Sequence, residues 1–329
     1  MPRPNRADIG DLPPELTGGL TFHLPMELAA LTDAGADRRT LAARTTERMT
    51  EAYAAGMIDP PLYRWAVDRY RPVAAALLSP AADVRAAAFT EIEPLGEGLA
   101  GAAFHGLIRL GYAAWHRDAE ELARGLAYLR TRRQVLAAPS RGVAAVVRPG
   151  DLPSVRQQEG ATVFDMLNRV AGTGVPGQSA GGRRPPTPRA LATEAAGLVR
   201  RNPSSFVAVH AFTGLHALCE VHALLTGQPP ANDAVRTPGI GSWWSTIATA
   251  IRACSVLIEH TPPEALAAYD GQYGDVDSVD SLVAASTRSG ETHDVKLAVS
   301  LRRMVTMGVV SADDAVSVGL HRLAAGQLL

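Results

Sequence analysis

The stretch SFVAVHAFTGLHALCEVHALLT, residues 205–226, decides the fold class, because it is a long apolar pattern with a helical period. The turn-forming residues Asn202-Pro203-Ser204 come just before it and indicate where the helix begins. Alanine and leucine dominate the stretch, which suits their high helix propensity. Comparable patterns occupy 25–56, 61–79, 81–91, 98–115, 117–137, 190–201, 242–259, 262–270, 291–307 and 311–327. The best strand candidate, Gly142–Arg148, stands alone. The sequence therefore predicts an all-α protein, a multi-helix bundle without the βα alternation of a doubly wound sheet.

The length and composition are those of a globular protein. A chain of 329 residues with 47% hydrophobic residues suits one large or two small domains. Nothing in the sequence requires a division, so we predict a single helical domain over 1–329. Residues 171–188, AGTGVPGQSAGGRRPPTP, cannot bury an apolar face, so we expect a long mobile loop there.

The charge and the termini exclude several classes of protein. A net charge of −1 argues against a nucleic-acid-binding protein, which normally carries a basic face. The N-terminal residues contain no apolar signal region, and no run of about 18 apolar residues indicates a membrane span. We therefore expect a cytoplasmic protein whose partner is a small molecule, while the sequence leaves the oligomeric state open.

The chain contains one lysine among 32 basic residues, and this Lys296 lies three residues after His293. Positions i and i+3 share a face of a helix. A chain rich in arginine and poor in lysine is also what a GC-rich genome produces, and one lysine can survive by chance. A lysine is required, however, wherever the chemistry needs an amine, because arginine cannot be deprotonated.

Three of the nine histidines, His23, His105 and His210, lie in strongly apolar segments. A single buried histidine is most often a core residue whose two ring nitrogens have partners. Several such histidines on separate helices of one bundle favour a shared metal ion. The sequence therefore predicts a metal site between helices, with scattered packing residues as the alternative.

Helix geometry restricts which histidines can share an ion. His210 and His216 are separated by about 120° around a helix axis, and His105 and His116 by about 16 Å along one. At most one member of each pair can serve a mononuclear site. Neither a HExxH sequence nor the Glu-x-x-His pair of di-iron bundles is present.

The sequence GEGLAG at 96–101 matches the GxGxxG pattern of dinucleotide-binding proteins. That pattern indicates a nucleotide site only after a strand and within a βαβ unit. Helical patterns follow this stretch, and no convincing strand precedes it. We therefore expect a flexible helix entry whose small residues allow close packing.

Four blocks of this sequence carry a resemblance to a known family. They are FHLPM at 22–26, GAAFHGLIRLGYA at 101–113, VHAFTGLHAL at 209–218 and HDVK at 293–296. In this order they resemble the questin oxidase-like family, whose members oxidatively open a ring of anthraquinone-type aromatic polyketides. One fungal branch of that family is similar to a non-haem iron dioxygenase whose metal is held by four histidines and a carboxylated lysine.

The resemblance implies a ligand set for iron(II), with dioxygen as co-substrate. Its members would be His23, His105, His210, His293 and a CO2-derived carbamate on Lys296, with His216 as the rival histidine. Burial in an apolar site lowers the pKa of a lysine, and only the neutral amine adds carbon dioxide. Imidazole-rich coordination also suits zinc, nickel and copper, so these ligands do not fix the metal.

We assign expected roles to further residues from their positions. Arg109 and Tyr112 follow His105 by one and two turns, on roughly its face, and would join His293 and Lys296 as catalytic or substrate-binding groups. A structural salt bridge for Arg109 is equally expected. Thr213 and Trp243 complete the predicted substrate-binding residues, although core packing is an alternative for the tryptophan. The candidates for orienting the imidazoles are Asp294, Glu220 and Glu97, and the sequence does not choose among them.

The sequence thus predicts an iron-dependent dioxygenase that cleaves a carbon–carbon bond in an aromatic polyketide. One alternative is an NADPH-dependent, Baeyer–Villiger-type monooxygenase, against which the lack of a credible nucleotide motif counts. The other alternative is a non-enzymatic helical binding protein, which would tolerate Lys296→Arg.

Overall fold

The computed structural model describes residues 12–17, 20–136, 167–168, 171, 186–231, 234, 239–258 and 275–326. Within these residues the chain is all-α, as predicted, apart from three two-residue strands. The helices are α1 (Leu24–Asp33), α2 (Arg38–Ala55), α3 (Tyr63–Leu77), α4 (Ala82–Ile92), α5 (His105–His116), α6 (Ala119–Thr131), α7 (Pro188–Arg201), α8 (Phe206–Thr226), α9 (Gly241–Leu257), α10 (Val279–Ser289), α11 (Thr292–Thr306) and α12 (Ala312–Gly326).

Three short strands form a small antiparallel sheet. Its strands are β1 (Glu15–Leu16), β2 (Leu20–Thr21) and β3 (Met57–Ile58), and β1 lies in the middle. Glu15 pairs with Thr21 on one side and with Ile58 on the other. The sheet therefore fixes the chain just before α1, where the FHLPM block begins.

Four helices enclose the position where the candidate site lies. The helix α1 packs against α5, α5 packs against α8, α8 packs against α11, and α11 packs back against α1. The approach of α5 to α8 requires a glycine, since a Cβ atom on Gly111 would lie 2.4 Å from the Cα of Ala217. Close backbone contact at this point brings the side chains of all four helices into one interior.

The helix α8 is the central helix of the core. Its N-cap residue Ser205 accepts a hydrogen bond from the backbone N–H of Ala208, which satisfies one of the free donors of the first turn. This helix is long and apolar enough to cross a membrane, with a mean hydropathy of 1.2, although the sequence predicted no such segment. Because 89% of the tested window is buried, it has the surroundings of a core helix in a water-soluble protein.

Several helix boundaries differ from those predicted. The pattern at 25–56 divides into α1 and α2, because Asp37 starts a new helix by accepting a hydrogen bond from the backbone N–H of Thr40. The helix α10 was not predicted, since its sequence, VDSLVAASTRS, is rich in residues that compete with helical hydrogen bonds. The predicted strand at 142–148, the predicted helix at 262–270 and residues 172–185 of the predicted loop lie outside the described residues.

The GEGLAG stretch is not a dinucleotide site. Residues Glu93–Gly98 form a short 3₁₀ helix after α4 rather than a strand-to-helix turn. A Cβ atom on Gly96 would overlap the indole of Trp243, so the glycine there permits close packing, as we predicted.

Candidate metal centre

Three of the predicted histidines lie together in the space between the four helices. Each of His23, His105 and His210 offers a ring nitrogen, and these nitrogens lie within 4.8 Å of one another. The Nε2 atoms of His23 and His105 are only 2.7 Å apart. Two nitrogens bound to one ion at about 2.1 Å are at most about 4.2 Å apart, so a small movement makes all three ligands of one ion.

His293 joins these three rings. Its ring centroid lies 5.3 Å from that of His23 and 5.0 Å from that of His210. The centroids of His105 and His210 are 4.4 Å apart. The structure thus brings together the four histidines that the resemblance implied, and from here we call them the histidine cluster.

Most of the cluster lies at the beginnings of helices. His23 is the N-cap residue of α1, His105 is the first residue of α5, and His293 lies in the first turn of α11. The positive end of a helix dipole disfavours a protonated imidazole. These positions therefore favour neutral rings, which are the form that binds a metal ion.

The turn that leads into α5 is strained. Ala102, Ala103 and Phe104 have φ angles of 47°, 52° and 68°, a left-handed region that costs about 1–2 kcal/mol for each residue with a Cβ atom. The carbonyl oxygen of Ala102 accepts a hydrogen bond from Nδ1 of His105, which leaves Nε2 directed at the other rings. Strain of this kind is typical of functional sites.

Lys296 lies against the cluster on α11. Its side chain is 1% exposed, and its Nζ atom has no hydrogen-bond partner among the described residues. Burial lowers the pKa of this amine to about 8. A buried amine without a partner is costly, so its retention needs an explanation other than stability.

The imidazole nitrogens are also short of partners. Within the described residues, neither nitrogen of His210 has a hydrogen-bond partner, and neither has Nε2 of His293. Native structures leave few buried polar atoms unpaired, and binding of an ion is one of the recognised reasons for such atoms. The unpartnered nitrogens and the amine together fit a transition-metal ion, for which imidazole is a preferred ligand.

The electrostatic environment keeps the rings neutral. The pKa of His105 is lowered to about 3, mainly by burial and further by the neighbouring positive charge of Lys296. Burial likewise lowers the pKa of His23 and of His210 well below the usual range, and it lowers that of His293. The cluster is therefore ready to bind a cation at neutral pH without first losing protons.

Glu291 orients His293, a role that the sequence analysis did not assign. Its carboxylate lies 2.8 Å from Nδ1 of His293 and also caps α11 by accepting the backbone N–H of that residue. The expected orienting residues serve elsewhere. Asp294 pairs with Arg322, Glu220 with His216 and Arg303, and Glu97 with Arg133. The sequence signal for this role was an acidic residue, Glu291, at the N-cap position two residues before a histidine in the first turn of the helix.

The guanidinium of Arg109 is engaged in an ion pair within the protein. Its guanidinium forms a buried ion pair with Glu121 at 2.9 Å, and the same carboxylate also binds Arg124. Burial alone would raise the pKa of Glu121, but the two arginines outweigh it and lower the pKa to about 2. Of the two roles expected for Arg109, the structural salt bridge is the one observed.

Two other predicted substrate-binding residues are also occupied within the protein. The hydroxyl of Thr213 donates to the carbonyl of Val209 within its own helix. Trp243 is fully buried, packs on Phe89 and donates its indole N–H to the carbonyl of Glu93. Both side chains are buried and hydrogen-bonded within the protein, and their roles in substrate binding stay predictions.

Tyr112 and His216 lie in a second polar layer, away from the histidine cluster. The ring of His216 contacts those of Tyr112 and Trp115, and its Nε2 lies 3.3 Å from Glu220. Burial raises the pKa of Tyr112, whose hydroxyl lies beside Ser300. His216 is therefore no rival for the cluster, and Tyr112 is a buried residue of this layer.

Comparison of the chain with protein-family models, curated proteins and solved structures gives no match.

The metal-free protein is expected to lose stability between pH 7.5 and pH 5.5. Because folding lowers the pKa of all four cluster histidines, the unfolded chain binds more protons than the folded one as pH falls below about 6.5. Each ring then contributes a loss of up to about 1.4 kcal/mol per pH unit. Urea unfolding of the metal-free protein at the two pH values measures this loss, and His210→Leu should reduce it. Equal urea midpoints for the wild type would contradict the expectation.

Proposed function

We propose that this chain is a cytoplasmic, non-haem iron-dependent dioxygenase that cleaves a carbon–carbon bond, and so opens a ring, in an aromatic polyketide such as an anthraquinone. The observation that carries the metal-dependent part is the convergence of four imidazoles and the amine of Lys296 in one buried space. The reaction and the substrate class follow the resemblance to the questin oxidase-like family.

A packing role does not account for this convergence. Imidazoles buried for packing normally find a partner for each nitrogen, yet His210 has none among the described residues. Placing an amine beside four imidazoles also makes every group harder to protonate, which destabilises the metal-free fold. A bound cation would offset these costs, because the imidazole nitrogens would become its ligands and the lysine would supply a carbamate oxygen as a further ligand.

Lys296 has the properties that carbamate formation needs. With its pKa lowered to about 8, a useful fraction of the amine is neutral at cytoplasmic pH and can add CO2, releasing one proton. The product is an anionic oxygen donor on the side of α11 that carries His293. Four neutral rings and one carbamate would hold a divalent ion, and the whole centre would then carry a net charge of +1.

The chain holds the proton on a defined nitrogen in two of the rings. Glu291 accepts the Nδ1 proton of His293, and the Ala102 carbonyl accepts that of His105, so both rings present Nε2 to the centre. When bound, iron(II) supplies the redox chemistry that lets dioxygen react with a phenolic carbon skeleton. Both oxygen atoms enter the product in this reaction, so no nicotinamide is consumed.

Oxygen uptake by the iron-loaded protein with hydroxyanthraquinones and their hydroquinone forms tests the proposal. We expect uptake that depends on iron and on bicarbonate, and two labelled oxygen atoms in the ring-opened product when ¹⁸O₂ is used. One labelled atom together with NADPH consumption would identify the monooxygenase alternative. No oxygen uptake with any of these substrates would overturn the proposal and favour the alternative of a non-enzymatic binding protein.

A further inference from the structure

The residues of the histidine cluster and Lys296 differ in their exposure to solvent. His105, His210 and Lys296 are 7%, 2% and 1% exposed, so the interior side is closed by the bundle. His23 and His293 are partly exposed, and the side chain of His293 retains 17% of its accessible surface. These two rings are the part of the cluster that solvent reaches among the described residues.

Phe206 lies beside the cluster, and much of its surface faces solvent. It begins α8 and precedes His210 by one turn, so the two side chains share a face of the helix. Its ring makes an edge-to-face contact with that of His210, with the centroids 5.7 Å apart. The side chain nevertheless remains 47% exposed, so a large apolar surface is free next to the cluster.

Its contact with the cluster distinguishes Phe206 from the other exposed aromatic side chains of the described residues. Tyr53 and Trp65 are 69% and 57% exposed, but neither ring contacts the cluster. Trp65 is already covered on one face by the guanidinium of Arg69. Single exposed apolar residues are common on protein surfaces, so contact with the cluster is what gives Phe206 its significance.

We propose that Phe206 is a substrate-contacting residue, a wall on which a planar aromatic ligand stacks while it approaches the histidine cluster. Aromatic pairs prefer offset-stacked or edge-to-face arrangements, and the free face of Phe206 is available for either. The inference rests on the proposed function, since it names a residue that would recognise the aromatic substrate.

The test uses protein loaded with cobalt(II), which reports metal binding by absorption and does not require turnover. The variants are Phe206→Ala, Phe206→Tyr and, as a matched exposed aromatic control, Trp65→Ala. For each protein we would measure the dissociation constants of cobalt(II), of azide as a small anion and of 1,8-dihydroxyanthraquinone. We expect Phe206→Ala to bind the anthraquinone about tenfold more weakly, with cobalt(II) and azide binding unchanged. Phe206→Tyr and Trp65→Ala should bind it like the wild type.

Two results would overturn the inference alone. In one, Phe206→Ala binds the anthraquinone as tightly as the wild type. In the other, its affinity for cobalt(II) falls by the same factor as its affinity for the anthraquinone, which would mean that Phe206 only holds His210 in place. If the cobalt-loaded wild type does not bind the anthraquinone at all, the proposed substrate class fails together with the inference.

Discussion

Lys296→Met is expected to stabilise the metal-free protein and at the same time to abolish tight metal binding. Lowering the pKa of the amine from 10.5 to about 8 corresponds to roughly 3 kcal/mol of lost stability at neutral pH, since one pKa unit is worth about 1.4 kcal/mol. This loss is present below pH 8, where the buried amine is protonated, and it disappears as pH rises through 10.5. Methionine fills a similar volume without a charge, so it removes the loss and the ligand together.

Urea unfolding of the metal-free proteins at pH 7 and metal content after reconstitution measure the two effects. Lys296→Arg is the matched control, because it keeps a positive charge but cannot form a carbamate. We expect it to bind no more metal than Lys296→Met and to show no gain in stability. A methionine variant that is less stable than the wild type, or that retains its metal, would contradict the account.

Glu121→Gln is expected to lower the free energy of unfolding by about 3–5 kcal/mol, because it leaves the buried Arg109 without a carboxylate and removes one of the two carboxylates that pair with Arg124. The side chains of Arg109 and Arg124 are only 5% and 9% exposed, so water cannot replace the lost partner. The expected loss is in stability alone, and the metal content of the folded protein should not change.

The neighbouring residue offers a matched control for this substitution. Glu120 pairs with Arg71 and Arg124, but its side chain is 37% exposed, so Glu120→Gln should cost no more than about 1 kcal/mol. Urea unfolding of both variants gives the comparison. If Glu121→Gln also costs less than about 1 kcal/mol, the ion pair of Arg109 is not the structural element that we describe.

The helical periods predicted the fold class and most of the helices because the signal is local. The pattern of α8 and the pairing of His293 with Lys296 on α11 need only the 3.6-residue repeat. The three strands have two residues each, too few for an alternation to show. The helix α10 begins with a capping box in which Ser278 and Ser281 bond to each other's backbone N–H groups. The third helical residue of a capping box is usually Glu or Gln, so no clear signal in the sequence indicated the start of this helix.

The roles of individual side chains could not be predicted, because they depend on contacts between residues on different helices. Spacing placed Arg109 near the face of His105, but only the packing of α5 on α6 shows that Glu121 already occupies its guanidinium. Phe206 lacked any such signal, since an apolar residue at the start of an apolar helix is expected to be buried. Its exposure beside His210 became visible only with the tertiary structure.

The most direct test of the central claim is the metal content per chain of anaerobically purified, iron-reconstituted wild type beside His210→Leu, Lys296→Met and His216→Gln. The account predicts about one iron per chain for the wild type and for His216→Gln, and a marked loss for the other two. No metal in the wild type, or equal loss in all three variants, would contradict a metal centre built by the histidine cluster and Lys296.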